Sequence, residues 1–158
     1  MAHLYMMHGY IGSGKTTFAH KLAKEENAIL FSVDAWMRDL YGKNPPSDQY
    51  QSNETRIKKR MRVMAAQLLA QDINIIFDFG YWSKSERDAD RQFAKENQAT
   101  AILYKCEAPI EVMKSRAIKR TDQDREGQVF IDANALDTLQ QYFEPLSEDE
   151  VHLSVDTA

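Results

Sequence analysis

LYMMHGYIGSGKTTFAHKLAKEE, residues Leu4–Glu26, decides how the rest of the chain is read. A short apolar run, Leu4 to His8, reads as a strand and stops at Gly9. From Lys15 to Glu26 the apolar residues Phe18, Ala19, Leu22 and Ala23 fall at helical spacing. Between the two, Gly9, four residues and then Gly14-Lys15-Thr16 fit the pattern G-x-x-x-x-G-K-[ST]. Glycines let the backbone take positive φ and come close to a ligand. Successive N–H groups then turn inward on phosphate oxygens, and the helix N-terminus adds partial positive charge. The candidate phosphate-contacting residues are Gly9, Ile11, Gly12, Ser13, Gly14, Lys15, Thr16 and Thr17. Lys15 suits the β- and γ-phosphates, and the Thr16 hydroxyl suits a Mg²⁺ ion. A glycine-rich turn without a ligand would not need a strand before it and a helix after it.

Downstream, strand-like and helix-like segments alternate. Ala28–Val33, Ile73–Phe79 and Ala99–Cys106 read as strands, with Val151–Val155 as a weaker fifth. Glu54–Asp72 reads as a long helix with an apolar stripe of Ile57, Met61, Met64 and Leu68. Ser83 and Glu86 form a capping-box pattern for a helix to about Asn97. Pro109 suits the first turn of a helix to about Arg120, and Asp132–Glu144 reads as the last helix. Gly42–Asn53 and Thr121–Phe130 read as loops, each either a lid or an ordinary surface connection. Such alternation predicts an α/β fold with a mostly parallel sheet. Ligands of such sheets sit outside the carboxyl ends of the strands, so the residues just after each strand carry the functional question.

Asp34 follows the second strand, and Arg38 lies one helical turn on. A carboxylate there can take the proton of an attacking hydroxyl, and an arginine can hold an anionic group. The competing reading makes Asp34 the cap of the short helix AWMRDL; beside a phosphate cradle the functional reading is preferred. Asp78 closes an apolar strand in the manner of a Walker B aspartate serving Mg²⁺. The metal set is therefore Thr16, Asp78 and Asp34. Trp36, Tyr81 and Trp82 either wall an acceptor pocket or simply pack. Arg116, Lys119, Arg120 and Arg125 form a basic group, with Arg116 and Arg120 on one helix face. They suit charge developing on a transferred phosphoryl group, or the C-terminal dipole of a solvated helix. The run Arg56–Arg62 reads as a solvated face, or else as a clamp for a phosphorylated acceptor.

The 158 residues suit one domain, and 43% hydrophobic with 28% charged residues are ordinary for a globular protein. A net charge of −4 argues against a protein that coats nucleic acid or anionic membrane by charge alone. Cys106, the one cysteine, excludes an internal disulfide and reads as buried. No apolar run reaches the ~18 residues of a membrane span and no leader is visible, so the cytoplasm is the expected location. The histidines show no metal-site spacing.

The stretches GYIGSGKTT, FSVDAWMRDLYG, IIFDFGYWSKSERD, APIEVMKSRAIKR and FEPLSEDE, in this order, resemble the small P-loop kinases grouped with polynucleotide kinase, the zeta toxins and chloramphenicol phosphotransferase. The nearest likeness is to a bacterial branch of predicted kinases, AAA-type ATP-binding proteins. The resemblance implies a three-layer P-loop fold with a five-stranded parallel sheet of order 2-3-1-4-5 and a small helical lid at about 116–131. It implies Asp34 as base or acceptor ligand, Arg38 beside the acceptor, and Arg116 and Arg120 on ATP. The spacing from Asp34 to Arg38 is one residue longer than in many relatives.

The expected activity is ATP- and Mg²⁺-dependent transfer of the γ-phosphate to a hydroxyl of a small molecule, by Lys15, Asp34, Arg38, Arg116 and Arg120. A 5′-hydroxyl polynucleotide kinase is the first alternative and is less favoured by the acidic charge. A nucleotide-binding switch or slow ATPase acting on a protein partner is the second. No N-K-x-D segment is present, which favours ATP over GTP. A monomer or weak dimer, with no membrane partner, completes the expectation.

Overall fold

The computed structural model describes residues 1–42, 46–123 and 133–158. Five strands, β1 (His3–His8), β2 (Ile29–Ser32), β3 (Ile75–Gly80), β4 (Thr100–Glu107) and β5 (Leu153–Asp156), form one parallel sheet in the order β2-β3-β1-β4-β5. The expected order is thus the observed one. β1 and β3 are buried almost throughout, as the apolar runs of central parallel strands require.

Side chains alternate across the sheet. Leu4 and Met6 join Phe31, Ile75, Phe77 and Phe79 on the face covered by α2 (Val33–Tyr41), α3 (Tyr50–Leu69) and α4 (Lys84–Glu96). Tyr5, Met7 and Ile76 face Ala19 and Leu22 of α1 (Lys15–Glu25). A third cluster joins Tyr10 and Ile11 to Met113 and Ala117 of α5 (Ile110–Gln123) and Leu139 of α6 (Ala133–Gln140). Residues 124–131 of the expected lid, Arg125 among them, lie outside the described residues, as does Asp132 at the expected start of the last helix.

Several local expectations change. The Gly42–Asn53 stretch is not all loop: a 3-10 turn spans Ser47–Gln49, and α3 already begins at Tyr50. The stripe of α3 is Ile57, Met61, Ala65 and Leu69, while Met64 is 39% exposed. The buried stripe keeps to unbroken steps of four, the i±4 ridge of a helix, instead of moving back by one at Met64, and Leu68 packs at its edge. The basic run is only half solvated. Arg56, Lys59 and Arg60 are exposed, but Lys58 binds Glu54 at 2.9 Å and Glu86 at 2.7 Å. Arg62 forms a forked pair with Asp90 at 2.7 and 2.9 Å. Ser83 caps α4 by accepting from the Glu86 N–H at 3.2 Å, but the Glu86 carboxylate goes to Lys58 instead of closing a capping box.

His8 is 1% exposed and stacks on Phe143 with ring centres 4.9 Å apart. Its Nδ1–H donates to the Tyr81 carbonyl at 3.0 Å, which fixes the neutral tautomer. Burial pushes its pKa down to about 4; the Arg87 and Lys105 cations push the same way, against the Tyr81 bond and Glu150. The unfolded chain then holds more protons between pH 6.5 and 4. Stability from this residue is complete above pH 6.5 and is lost as pH falls through that window, by about 3 kcal/mol in all. His8→Gln should flatten the urea midpoint between pH 6.5 and 4. An unchanged slope in the variant would refute the assignment.

Candidate active site

The loop between β1 and α1 is held at both ends. Gly9 N–H donates to Gly80 O at 3.1 Å, tying it to β3, and Ser13 N–H donates to Tyr10 O at 3.0 Å. Gly12 and Gly14 take φ of 79° and 80°, a region closed to most side chains. Each is also crowded: a Cβ on Gly12 would lie 2.3 Å from the Met113 carbonyl, and one on Gly14 would lie 2.8 Å from Thr157. The glycines therefore let the loop thread beneath α5 and the end of β5.

The loop residues 12–17 form one wall of a cleft of about 580 Å³; Arg116, Lys119, Arg120 and Thr157 form the other. Of the candidate nucleotide residues, Gly12, Ser13, Gly14, Lys15, Thr16, Thr17, Arg116 and Arg120 come together here. Gly9 sits under the loop, where an added Cβ would meet Ser13 Oγ, and Ile11 packs in the cluster with Tyr10 and Ala117. Arg116 is engaged: Nη1 donates to Gly12 O at 3.2 Å and to Thr157 Oγ1 at 3.1 Å, and Nη2 donates to Thr157 O. Thr157 in turn donates to Ser13 O. The guanidinium thus fastens α5 and the end of β5 onto the loop, a role no sequence pattern suggests. Arg120, one turn on, is exposed at the cleft edge.

At the foot of the cleft Thr16 Oγ1 donates to Asp78 Oδ2 at 2.8 Å. Asp78 is 4% exposed, and its Oδ1 has no hydrogen-bond partner. Burial raises its pKa; Lys15, the Thr16 bond and His20 oppose this, and the Asp34 charge adds to it. A buried carboxylate with an open oxygen beside a hydroxyl fits a hard cation such as Mg²⁺. Among the described residues no three His, Cys, Asp or Glu side chains gather as a cage. Mg²⁺ characteristically keeps waters and phosphate oxygens in its shell and needs only one or two protein oxygens. Asp78→Asn should raise the thermal midpoint of the ligand-free protein by removing a buried charge. The same variant should lose the extra midpoint that Mg²⁺ with ATP adds; retention of that increment would refute the metal role.

Asp34 lies on α2, exposed, close enough to act on both Asp78 and Tyr50 by charge. Its carboxylate is not the helix cap: Ser32 holds that position, its Oγ 3.4 Å from the Ala35 N–H. Arg38 is exposed one turn beyond and lies outside the nucleotide cleft. Of the aromatic candidates, Tyr81 is fully buried with its hydroxyl on Asp90 at 2.7 Å, and Trp36 packs at the edge of the main core. Trp82 is half-buried against Tyr10 and Phe143 at 5.3 and 5.7 Å. Cys106 is buried as expected, its thiol pushed up to about 12 by burial.

A family model described as an AAA domain matches residues 4–146. The chain belongs to this AAA domain family. Its fold is shared with solved kinase structures. A kinase candidate from Chloroflexus aurantiacus superposes with a TM-score of 0.80 at 21% identity, covering 99% of this chain and 88% of that one. A gluconokinase from Sinorhizobium meliloti gives 0.64 at 18% identity, over 99% and 83% of the two chains. The Mycobacterium tuberculosis APS kinase, in complex with AMPPNP and APS, gives 0.66 at 16% identity, over 99% and 88%. No curated protein compared with the chain matches it significantly. Among the described residues no helix is long and apolar enough to cross a membrane.

Proposed function

We propose that this AAA-family chain is an ATP- and Mg²⁺-dependent phosphotransferase acting on a hydroxyl of a small molecule. The observation that carries the reading is the Thr16–Asp78 pair with its open Asp78 oxygen, set at the foot of the Lys15 loop. The backbone N–H groups of residues 12–17 would face the ATP phosphates, with Lys15 neutralising the β and γ groups. Thr16 and Asp78 would hold Mg²⁺, which supplies positive charge against the phosphate oxygens. Asp34 takes the proton of the acceptor hydroxyl as that oxygen bonds to the γ-phosphorus. The bond from the γ-phosphorus to the bridging oxygen breaks, and ADP leaves with that electron pair. Arg120 offsets charge on the moving group. Arg116 acts as a positioning residue through Gly12 and Thr157. Arg38 is the candidate donor to acceptor oxygens.

The test follows label from γ-labelled ATP in a cell extract separated into small and macromolecular fractions, wild type beside Asp34→Asn. Label in a discrete small compound, absent with the variant that still binds ATP, is the expected result. Label only in free phosphate and unchanged in the variant would overturn it in favour of a slow ATPase. Label in oligonucleotides would favour a polynucleotide kinase.

A further inference from the structure

Among the described residues, Asn27, Asp72, Tyr81 and Gln98 take positive φ without being glycine. Asn27, Asp72 and Gln98 are polar and stand in the turns just past α1, α3 and α4, where helices commonly end in this conformation. Tyr81 differs on each count. It is aromatic, fully buried and follows a strand, with φ 52°. Gly80 before it takes φ 78°. A bulky residue is an outlier in this region, and such strain persists only where the surroundings over-determine it. Here they do. The Tyr81 hydroxyl donates to Asp90 Oδ2 at 2.7 Å, and its carbonyl accepts from His8 Nδ1 at 3.0 Å and Arg87 Nη1 at 2.9 Å. Gly80 O accepts from the Gly9 N–H at 3.1 Å.

This strained turn sets the place of Trp82. Its ring packs against Tyr10 and Phe143, with 5.3 and 5.7 Å between centres, and its carbonyl accepts from the Glu144 N–H at 2.7 Å. The Cδ1–Nε1 edge of the indole is turned back on Gly80. A Cβ on Gly80 would lie 3.4 Å from both of those atoms and 3.5 Å from Lys15 Cε. The indole N–H edge and the end of the Lys15 stem therefore converge on one spot, which a glycine leaves open. Trp82 is not in the wall of the nucleotide cleft, so what it can reach is the group at the Lys15 end. Its N–H has no hydrogen-bond partner among the described residues. An indole donates and never accepts, so the ligand atom that suits it is an anionic oxygen.

We propose that Trp82 is a substrate-contacting residue, its indole N–H donating to an oxygen of the terminal phosphoryl group held at Lys15, and that Gly80 and Tyr81 are the positioning residues that keep it there. This rests on the nucleotide-binding part of the reading above. Lys15 supplies charge at this point; the indole adds direction without charge, and its ring keeps water from that side of the phosphoryl group.

The chain has two tryptophans, so Trp36→Phe leaves Trp82 as the one fluorescent reporter. In that variant, with Mg²⁺ present, the non-hydrolysable triphosphate AMPPNP should shift the emission, and ADP should leave it near the unliganded spectrum. Trp82→Phe keeps an aromatic ring for Tyr10 and Phe143 and removes the N–H. By calorimetry it should weaken AMPPNP binding about tenfold, the worth of one charge-assisted hydrogen bond, with the affinity for ADP unchanged. Equal losses for the two nucleotides would make Trp82 a support of the loop and overturn the assignment. So would identical emission with ADP and AMPPNP, or wild-type AMPPNP affinity in Trp82→Phe; each of these leaves the phosphotransferase intact. Failure of the wild-type chain to bind either nucleotide would overturn the phosphotransferase reading and this inference with it.

Discussion

Arg87→Leu should cost about 3–5 kcal/mol of unfolding free energy, the range for stranding one partner of a buried ion pair. Arg87 is 0% exposed, and all five of its N–H donors are used. Nε and Nη2 fork onto Glu150, each at 2.9 Å. Nη1 donates to Tyr81 O at 2.9 Å and Glu144 O at 3.1 Å, and Nη2 also reaches Pro145 O at 3.1 Å. The leucine would leave three carbonyls without this donor and would leave Glu150 with Arg91, at 2.6 Å, as its paired cation, beside the Ser147 N–H and hydroxyl, each at 3.1 Å. Glu150 is held well below the usual carboxylate range by Arg87, Arg91 and Ser147, against the burial that would raise it. Its contribution is present above about pH 4.5 and is lost as pH falls below that, so it meets the window of His8 only at the acid end of that window. Urea unfolding at pH 7 is the check, and a loss under about 1 kcal/mol would refute the assignment. Arg87→Leu combined with Glu150→Leu should recover part of the loss, because no charge is then stranded.

Asp34→Asn should lower the transfer rate by about 10²–10⁴-fold, the usual worth of a general base. The amide keeps the shape but cannot take the proton. Because Asp34 lies outside the nucleotide cleft, KM for ATP should stay near wild type, and the loss should fall on kcat. If the affinity for ATP collapsed along with the rate, Asp34 would belong to the nucleotide site and not to the acceptor side.

Much of the fold was legible because its signals are local. The apolar runs at Leu4–His8 and Ile73–Phe79 and the glycines between β1 and α1 mark strand, turn and helix within one short window. The pairing of Thr16 with Asp78 was also foreseeable, since both motifs name the same ion. Other features depend on residues far apart in the chain. A helical wheel shows Lys58 and Arg62 as polar, but it cannot show that Glu86 and Asp90 arrive from α4 to meet them. Thr157 carries no motif, yet it touches Ser13 and Arg116 from the other end of the chain. Arg87 sits in a segment that reads as an amphipathic helix, and only the 144–150 segment folding back explains its burial. Asp34 was separable from the helix cap only once Ser32 was seen in that position.

The order β2-β3-β1-β4-β5 has a consequence for how the molecule is made. β1 leaves the ribosome first of the strands, but its partners are distant: Leu4 pairs with Ile75 and with Ala101. Closing a loop of that length costs roughly 4 kcal/mol in chain entropy before any sheet contact offsets it. Among the described residues every pairing is parallel, so no hairpin offers a shortcut there. The nascent chain therefore carries apolar β1 unpaired until β3 has emerged, a state in which chaperone capture competes with aggregation. Competence to hold a nucleotide would then mark the end of folding, since Asp78 comes in with β3 and Thr157 only after β5 has docked.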